Sequence, residues 1–109
     1  MKIYVSTPVN GRKEETFQKK RIAAYHRAET LSAYLKDEYP DAEIITPFDV
    51  VPLDVTVDEP EAIGKCVTAL LKCDTVVLDR GWTVSDGCNL EYRAAKIYKK
   101  DIIDGNGQL

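Results

Sequence analysis

The chain carries one histidine, one tryptophan and three cysteines among its 109 residues. With His26 alone, and no G-x-S-x-G, a Ser-His-Asp hydrolase has little to stand on. Cys66, Cys73 and Cys88 are odd in number and form no C-x-x-C, so neither a disulfide framework nor a structural zinc site is expected. Glycine is sparse, at six. The loop after the first apolar run contains only Gly11, so neither G-x-G-x-x-G nor G-x-x-x-x-G-K-[ST] occurs there. That removes the usual dinucleotide and P-loop readings. No apolar run approaches the ~20 residues of a membrane span, and the N-terminus lacks a signal-peptide pattern. The expectation is therefore a cytoplasmic protein with no membrane partner. Basic residues are not in excess either: 15 Lys plus Arg face 18 Asp plus Glu, for a net charge of −3. Such a balance speaks against a nucleic-acid polymer as partner, but not against a single nucleoside or nucleotide.

What is present is the patterning of one small α/β domain. Hydrophobic residues make up 44% and charged residues 30% of the chain, a folded rather than a disordered composition. Lys2 to Ser6 reads as a strand, and Glu14 to Asp37 as a helix. Its stripe is Phe17, Ala24, Ala28, Leu31 and Leu35, with Lys19, Lys20, Arg27 and Lys36 opposite. Pro40 stops that helix. Glu43 to Thr46 is a second strand. Residues 47 to 60, with three prolines and several acids, read as one long connection, either a solvated excursion or an active-site lid. Glu61 to Lys72 is a helix with Ile63, Cys66, Val67, Leu70 and Leu71 on one face. Cys66 and Cys73 read as small buried hydrophobes. Thr75 to Leu78 is a continuous apolar run suited to a central parallel strand. A helix from Gly87 to Lys99, with Leu90, Ala94, Ile97 and Tyr98 inward, precedes a last strand at Asp101 to Ile103. Asp104 to Gly107 reads as a frayed end.

This alternation predicts right-handed βαβ crossovers and a three-layer flavodoxin-like or Rossmann-like fold with a parallel sheet of about four strands. Ligands of such sheets sit beyond the carboxyl ends of the strands. Those ends are Ser6-Thr7-Pro8-Val9-Asn10-Gly11-Arg12, the stretch from Pro47 onward, and Asp79 to Gly87. Glu91 lies one turn into the third helix and should lean back toward Ser85, Asp86 and Gly87. It is either a surface glutamate near a helix start or a functional carboxylate. Ser85 or Asp86 caps that helix, and its first amides can receive an anion. Arg12 is a phosphate grip or a solvated cation. Trp82, beside Gly81, is a stacking wall for a base or part of the core. His26 reads as exposed.

Two stretches taken together resemble the nucleoside 2-deoxyribosyltransferase-like family. Lys2-Ile3-Tyr4-Val5-Ser6-Thr7-Pro8-Val9-Asn10-Gly11 is similar to its K-I-Y-I-S-G-P-x-x-G opening. Gly81-Trp82-Thr83-Val84-Ser85-Asp86-Gly87-Cys88-Asn89-Leu90-Glu91 is similar to its G-W-x-x-S-x-G-x-x-x-E. The resemblance implies cleavage or transfer at the N-glycosidic bond of 2′-deoxynucleosides or their 5′-monophosphates, with no cofactor or metal. It implies that Glu91 attacks the anomeric carbon and Ser85 helps hold a 5′-phosphate. Tyr4 then corresponds to the first-strand tyrosine, Gly11 keeps the first loop close to the ligand, and Asp86 or Asp79 serves the leaving base. Thr7 departs from the pattern, standing where the family has glycine. A non-catalytic nucleotide sensor and an NAD glycohydrolase-like activity remain as alternatives. The small sheet leaves apolar helix surface, so a homo-oligomer, a dimer or tetramer, is expected.

Overall fold

The computed structural model describes residues 1–9 and 14–107, and for residues 14–17 the backbone alone. Four strands, β1 (Lys2–Ser6), β2 (Glu43–Ile45), β3 (Thr75–Leu78) and β4 (Asp101–Asp104), form one sheet in the order β2-β1-β3-β4. All three pairings are parallel, with Ser6 beside Leu78 and Tyr4 beside Ile45. The helices are α1 (Glu14–Glu38), α2 (Pro47–Val50), α3 (Glu59–Leu71) and α4 (Asp86–Ile97). The three-layer α/β fold expected from the alternation is the one observed.

Strand alternation sorts the core into two layers. Ile3, Val5 and Val77 face α1 and pack with Leu35. Tyr4, Val76 and Leu78 face the other way and pack with Cys66 and Leu70 of α3 and Cys88 and Ala95 of α4. From β1 the chain moves to β2 on one side and, later, to β3 on the other. The strand order therefore switches between β1 and β3, and a crevice opens beyond their carboxyl ends.

Several local readings are corrected. The connection from 47 onward is not all loop. Thr46 ends β2 and caps α2: its hydroxyl accepts from Phe48 N, and its own N–H donates to Asp49 Oδ2. This is a capping box on a four-residue helix. The next helix starts at Glu59 rather than Glu61, because Asp58 caps it by accepting from Glu61 N. Most consequential is α4. Its inward residues are Cys88, Glu91 and Ala95, whereas Leu90, Ile97 and Tyr98 are exposed. Ala94 is half-buried. The apolar residues taken as the inner stripe lie about a third of a turn away from the true one.

The segment read as frayed is stitched to the site loop. Trp82 Nε1–H donates to Asp104 Oδ1, Gly81 N–H to Asn106 Oδ1, and Gly105 N–H to the Leu78 carbonyl. A Cβ on Gly105 would run into that same carbonyl oxygen. Gly105→Ala is therefore expected to destabilise the fold by about 2 kcal/mol, read as a lower urea midpoint with an unchanged m-value. An unshifted midpoint would mean that this turn is not fixed as described.

Candidate functional site

The site is built around Glu91. In the sequence it lies near a helix start, beside the stripe of Leu90 and Ala94, and in the fold it is buried at 6% exposure. The reason lies in β1. Tyr4 and Ser6 are two apart and so point to the same face of the sheet, the one covered by α4. Tyr4 OH donates to Glu91 Oε2 at 2.6 Å and Ser6 Oγ donates to Oε1 at 2.7 Å. Each carboxylate oxygen is thus held by one hydroxyl, and among the described residues no cation pairs with it. Burial pushes the Glu91 carboxyl up to about 7, against the opposing pull of the two hydroxyls. Burial, and then the neighbouring Glu91 carboxyl, raise the Tyr4 hydroxyl well above its ordinary value.

Glu91 borders a cavity of about 60 Å³. Thr7 lines it from the end of β1, and Ser85, Gly87 and Cys88 from the start of α4. Pro47, Phe48 and Val51 close its outer side, and Glu59, Ala62, Ile63 and Cys66 contribute from α3. Ser85 accepts a 3.3 Å hydrogen bond from Cys88 N, its role as a helix cap. Burial raises Cys66 to about 12 and Cys88 to about 11. Both thiols are therefore protonated and poor nucleophiles at neutral pH.

Residues 1–104 match the family model described as Domain of unknown function (DUF4406). The chain belongs to this family. No curated protein matches it.

In this DUF4406 domain the expected residues divide. Thr7, Ser85, Gly87 and Glu91 line the cavity, and Tyr4 and Ser6 stand behind it, hydrogen-bonded to Glu91. Pro8 is buried just beyond β1, and its carbonyl accepts from Arg27 Nη2 at 2.8 Å. Trp82 does not line the cavity. Its indole is buried in the core beside Tyr92, with ring centroids 4.9 Å apart, so it is no stacking wall there. Gly81 adopts the left-handed conformation (φ 86°) that turns the chain after β3, and it too lies off the cavity. Asp79 faces a separate groove and pairs with Arg27 at 3.4 Å. Asp86 is exposed at the start of α4 and is not among the lining residues. Neither aspartate meets Glu91 in the cavity. Gly11 and Arg12 lie outside the described residues.

Two residues went unassigned. Glu59 is the second acidic residue lining the cavity, and the sequence reading leaves it within the 47–60 connection. Arg21 is buried at 3% exposure and lines the cavity. Its guanidinium donates to the carbonyls of Val51, Pro52 and Val55 and to Gln18 Oε1. It ties the 47–57 strap to α1. The signal was in the spacing: 17, 21, 24, 28, 31 and 35 form one helical stripe, with a cation inside it.

Among the described residues no cluster of three or more His, Cys, Asp or Glu side chains is arranged to hold a metal. Among the described residues no helix is long and apolar enough to cross a membrane.

Proposed function

We propose that this chain cleaves, or transfers across, the N-glycosidic bond of a nucleoside or its 5′-monophosphate, with Glu91 as nucleophile. The class implied by the resemblance to nucleoside 2-deoxyribosyltransferase-like proteins is the 2′-deoxy sugars. The observation that carries this reading is a buried carboxylate with no cation, oriented by two hydroxyls and bordering a cavity at the strand switch point. A purely structural glutamate would gain from solvent or from a cation. A nucleophile beneath a sugar needs the opposite: fixed oxygens, little water and a positive charge that arrives only in the transition state.

In the reaction, a Glu91 oxygen bonds to C1′ as the C1′–N bond breaks and its electron pair leaves with the base. The base takes a proton from an acid at the cavity. Glu59 is the carboxyl available there, in place of Asp79 and Asp86. Water or a second base then attacks C1′ and frees Glu91, returning the proton to Glu59. Ser85, with the first amides of α4, receives a 5′-phosphate.

The reading extends to the assembly and the compartment. Leu90, Ile97 and Tyr98 are exposed along α4, an apolar face suited to a second copy of the chain. We therefore propose a homo-oligomer; a ~12 kDa particle by light scattering at micromolar concentration would contradict it. Three free cysteines fit a reducing cytoplasm.

The test is chromatographic. Wild-type protein is incubated with a panel of 2′-deoxynucleosides, ribonucleosides, the 5′-monophosphates of both and NAD, and free base is measured. The expected result is base release from at least one nucleoside or monophosphate. For an accepted monophosphate, Ser85→Ala should weaken turnover more than for the matching nucleoside. Folded protein that releases no base from any member would overturn the proposal.

A further inference from the structure

Thr7 stands at the end of β1, next to the serine that holds Glu91. It is 5% exposed, and its Oγ1 is a buried polar atom with no hydrogen-bond partner. It also lines the same cavity as Glu91. The other hydroxyls beside the carboxylate are engaged: Tyr4 and Ser6 donate to Glu91, and Ser85 accepts from Cys88 N. An unpaired buried hydroxyl is a cost that a valine of the same shape would avoid. Its presence here is explained if a ligand group completes it.

We propose that Thr7 binds the 2′-hydroxyl of a ribose, extending the substrate class from 2′-deoxy sugars to ribonucleosides and their 5′-monophosphates. This rests on the reading of Glu91 as the group that meets C1′. The 2′-hydroxyl is the sugar hydroxyl nearest C1′, and Thr7 and Glu91 line one cavity. A 2′-deoxy sugar offers only a methylene at that place and leaves Thr7 unpaired. A ribose offers both a donor and an acceptor. A site with a polar group waiting for a ligand hydroxyl rejects the analogue that lacks it.

The experiment compares kcat/KM for one ribonucleoside 5′-monophosphate and its 2′-deoxy counterpart, the base being the same. Wild type, Thr7→Val and Thr7→Ala are assayed, with the Tm of each. Wild type is expected to favour the ribose by roughly tenfold or more. Thr7→Val should bring that ratio near unity while raising Tm, because it removes only the unpaired hydroxyl. Thr7→Ala, which relieves any crowding, should lose the preference as well. A ribose preference unchanged in both variants overturns the assignment, as does a wild type that favours the deoxy sugar. So does a lower Tm for Thr7→Val, which would mean that the hydroxyl is already bonded in the free protein. If base is released but the ratio ignores Thr7, the glycosidic reaction stands and only this role falls. If wild type releases base from neither sugar, the reaction falls and takes the role of Thr7 with it.

Discussion

Glu91→Gln is expected to stop base release while making the folded protein more stable at alkaline pH. The loss of turnover should reach several orders of magnitude, because an amide oxygen cannot form the glycosyl ester. Nucleotide binding should largely survive, since the side chain keeps its shape and an oxygen to accept from Tyr4. The stability change follows from the raised carboxyl. In the unfolded chain a glutamate titrates near 4.5, and in the fold Glu91 titrates at about 7. The folded state therefore holds this proton more tightly. Wild-type stability should fall as pH rises from about 4.5 to about 7 and level off above. A difference of that size corresponds to something on the order of 3 kcal/mol. Urea midpoints of wild type and Glu91→Gln should lie closest at pH 4.5 and diverge by pH 8, with the variant higher. The same titration predicts a rising acid limb in kcat/KM near pH 7. Tyr4→Phe removes a hydrogen bond that favours the charged form and should move that limb to higher pH. A variant no more stable than wild type at pH 8 would mean that Glu91 is comfortably ionised in the fold.

Arg21→Met should release the strap. The guanidinium makes four hydrogen bonds to the strap and α1, and methionine replaces none of them. Three backbone carbonyls, of Val51, Pro52 and Val55, lose their charged donor. The cost is expected to be on the order of 3 kcal/mol, charge-assisted bonds being the stronger kind. It should appear first as faster amide exchange across residues 47–57, with the β-sheet amides still protected. Pro47, Phe48 and Val51 of the strap line the cavity that Glu91 borders, so what holds the strap also holds one side of that cavity. Unchanged exchange across 47–57 would show that Arg21 is not what holds the strap.

The sheet was legible because its signals are local and redundant. Thr75 to Leu78 could hardly be anything but a buried strand, and Pro40 and Pro47 mark ends that no packing can override. The Tyr4, Ser6, Ser85 and Glu91 constellation was legible through motif resemblance, since its members lie 85 and 87 residues apart. Hydrophobic ranking holds for Ala24, Ala28 and Leu35 of α1 and for Cys66 and Leu70 of α3, and fails on α4. Glu91 takes a core position on α4 because two hydroxyls from β1 satisfy it, and Leu90, Ile97 and Tyr98 are displaced outward as a result. The spacing of α1 places Arg21 within the buried stripe, but its partners are strap carbonyls, which carry no sequence signature. Asp79 and Asp86 follow from the family resemblance, which places an aspartate near the site loop, whereas Glu59 lines the cavity from the start of another helix.

The most direct measurement is mass spectrometry of the intact protein after incubation with a 2′-fluoro-arabino nucleoside, in which fluorine slows release of a sugar ester. The account predicts a mass gain of one glycosyl group, mapped to the peptide containing Glu91 and absent in Glu91→Gln. Base released with no adduct on Glu91, or an adduct on any other side chain, would contradict it.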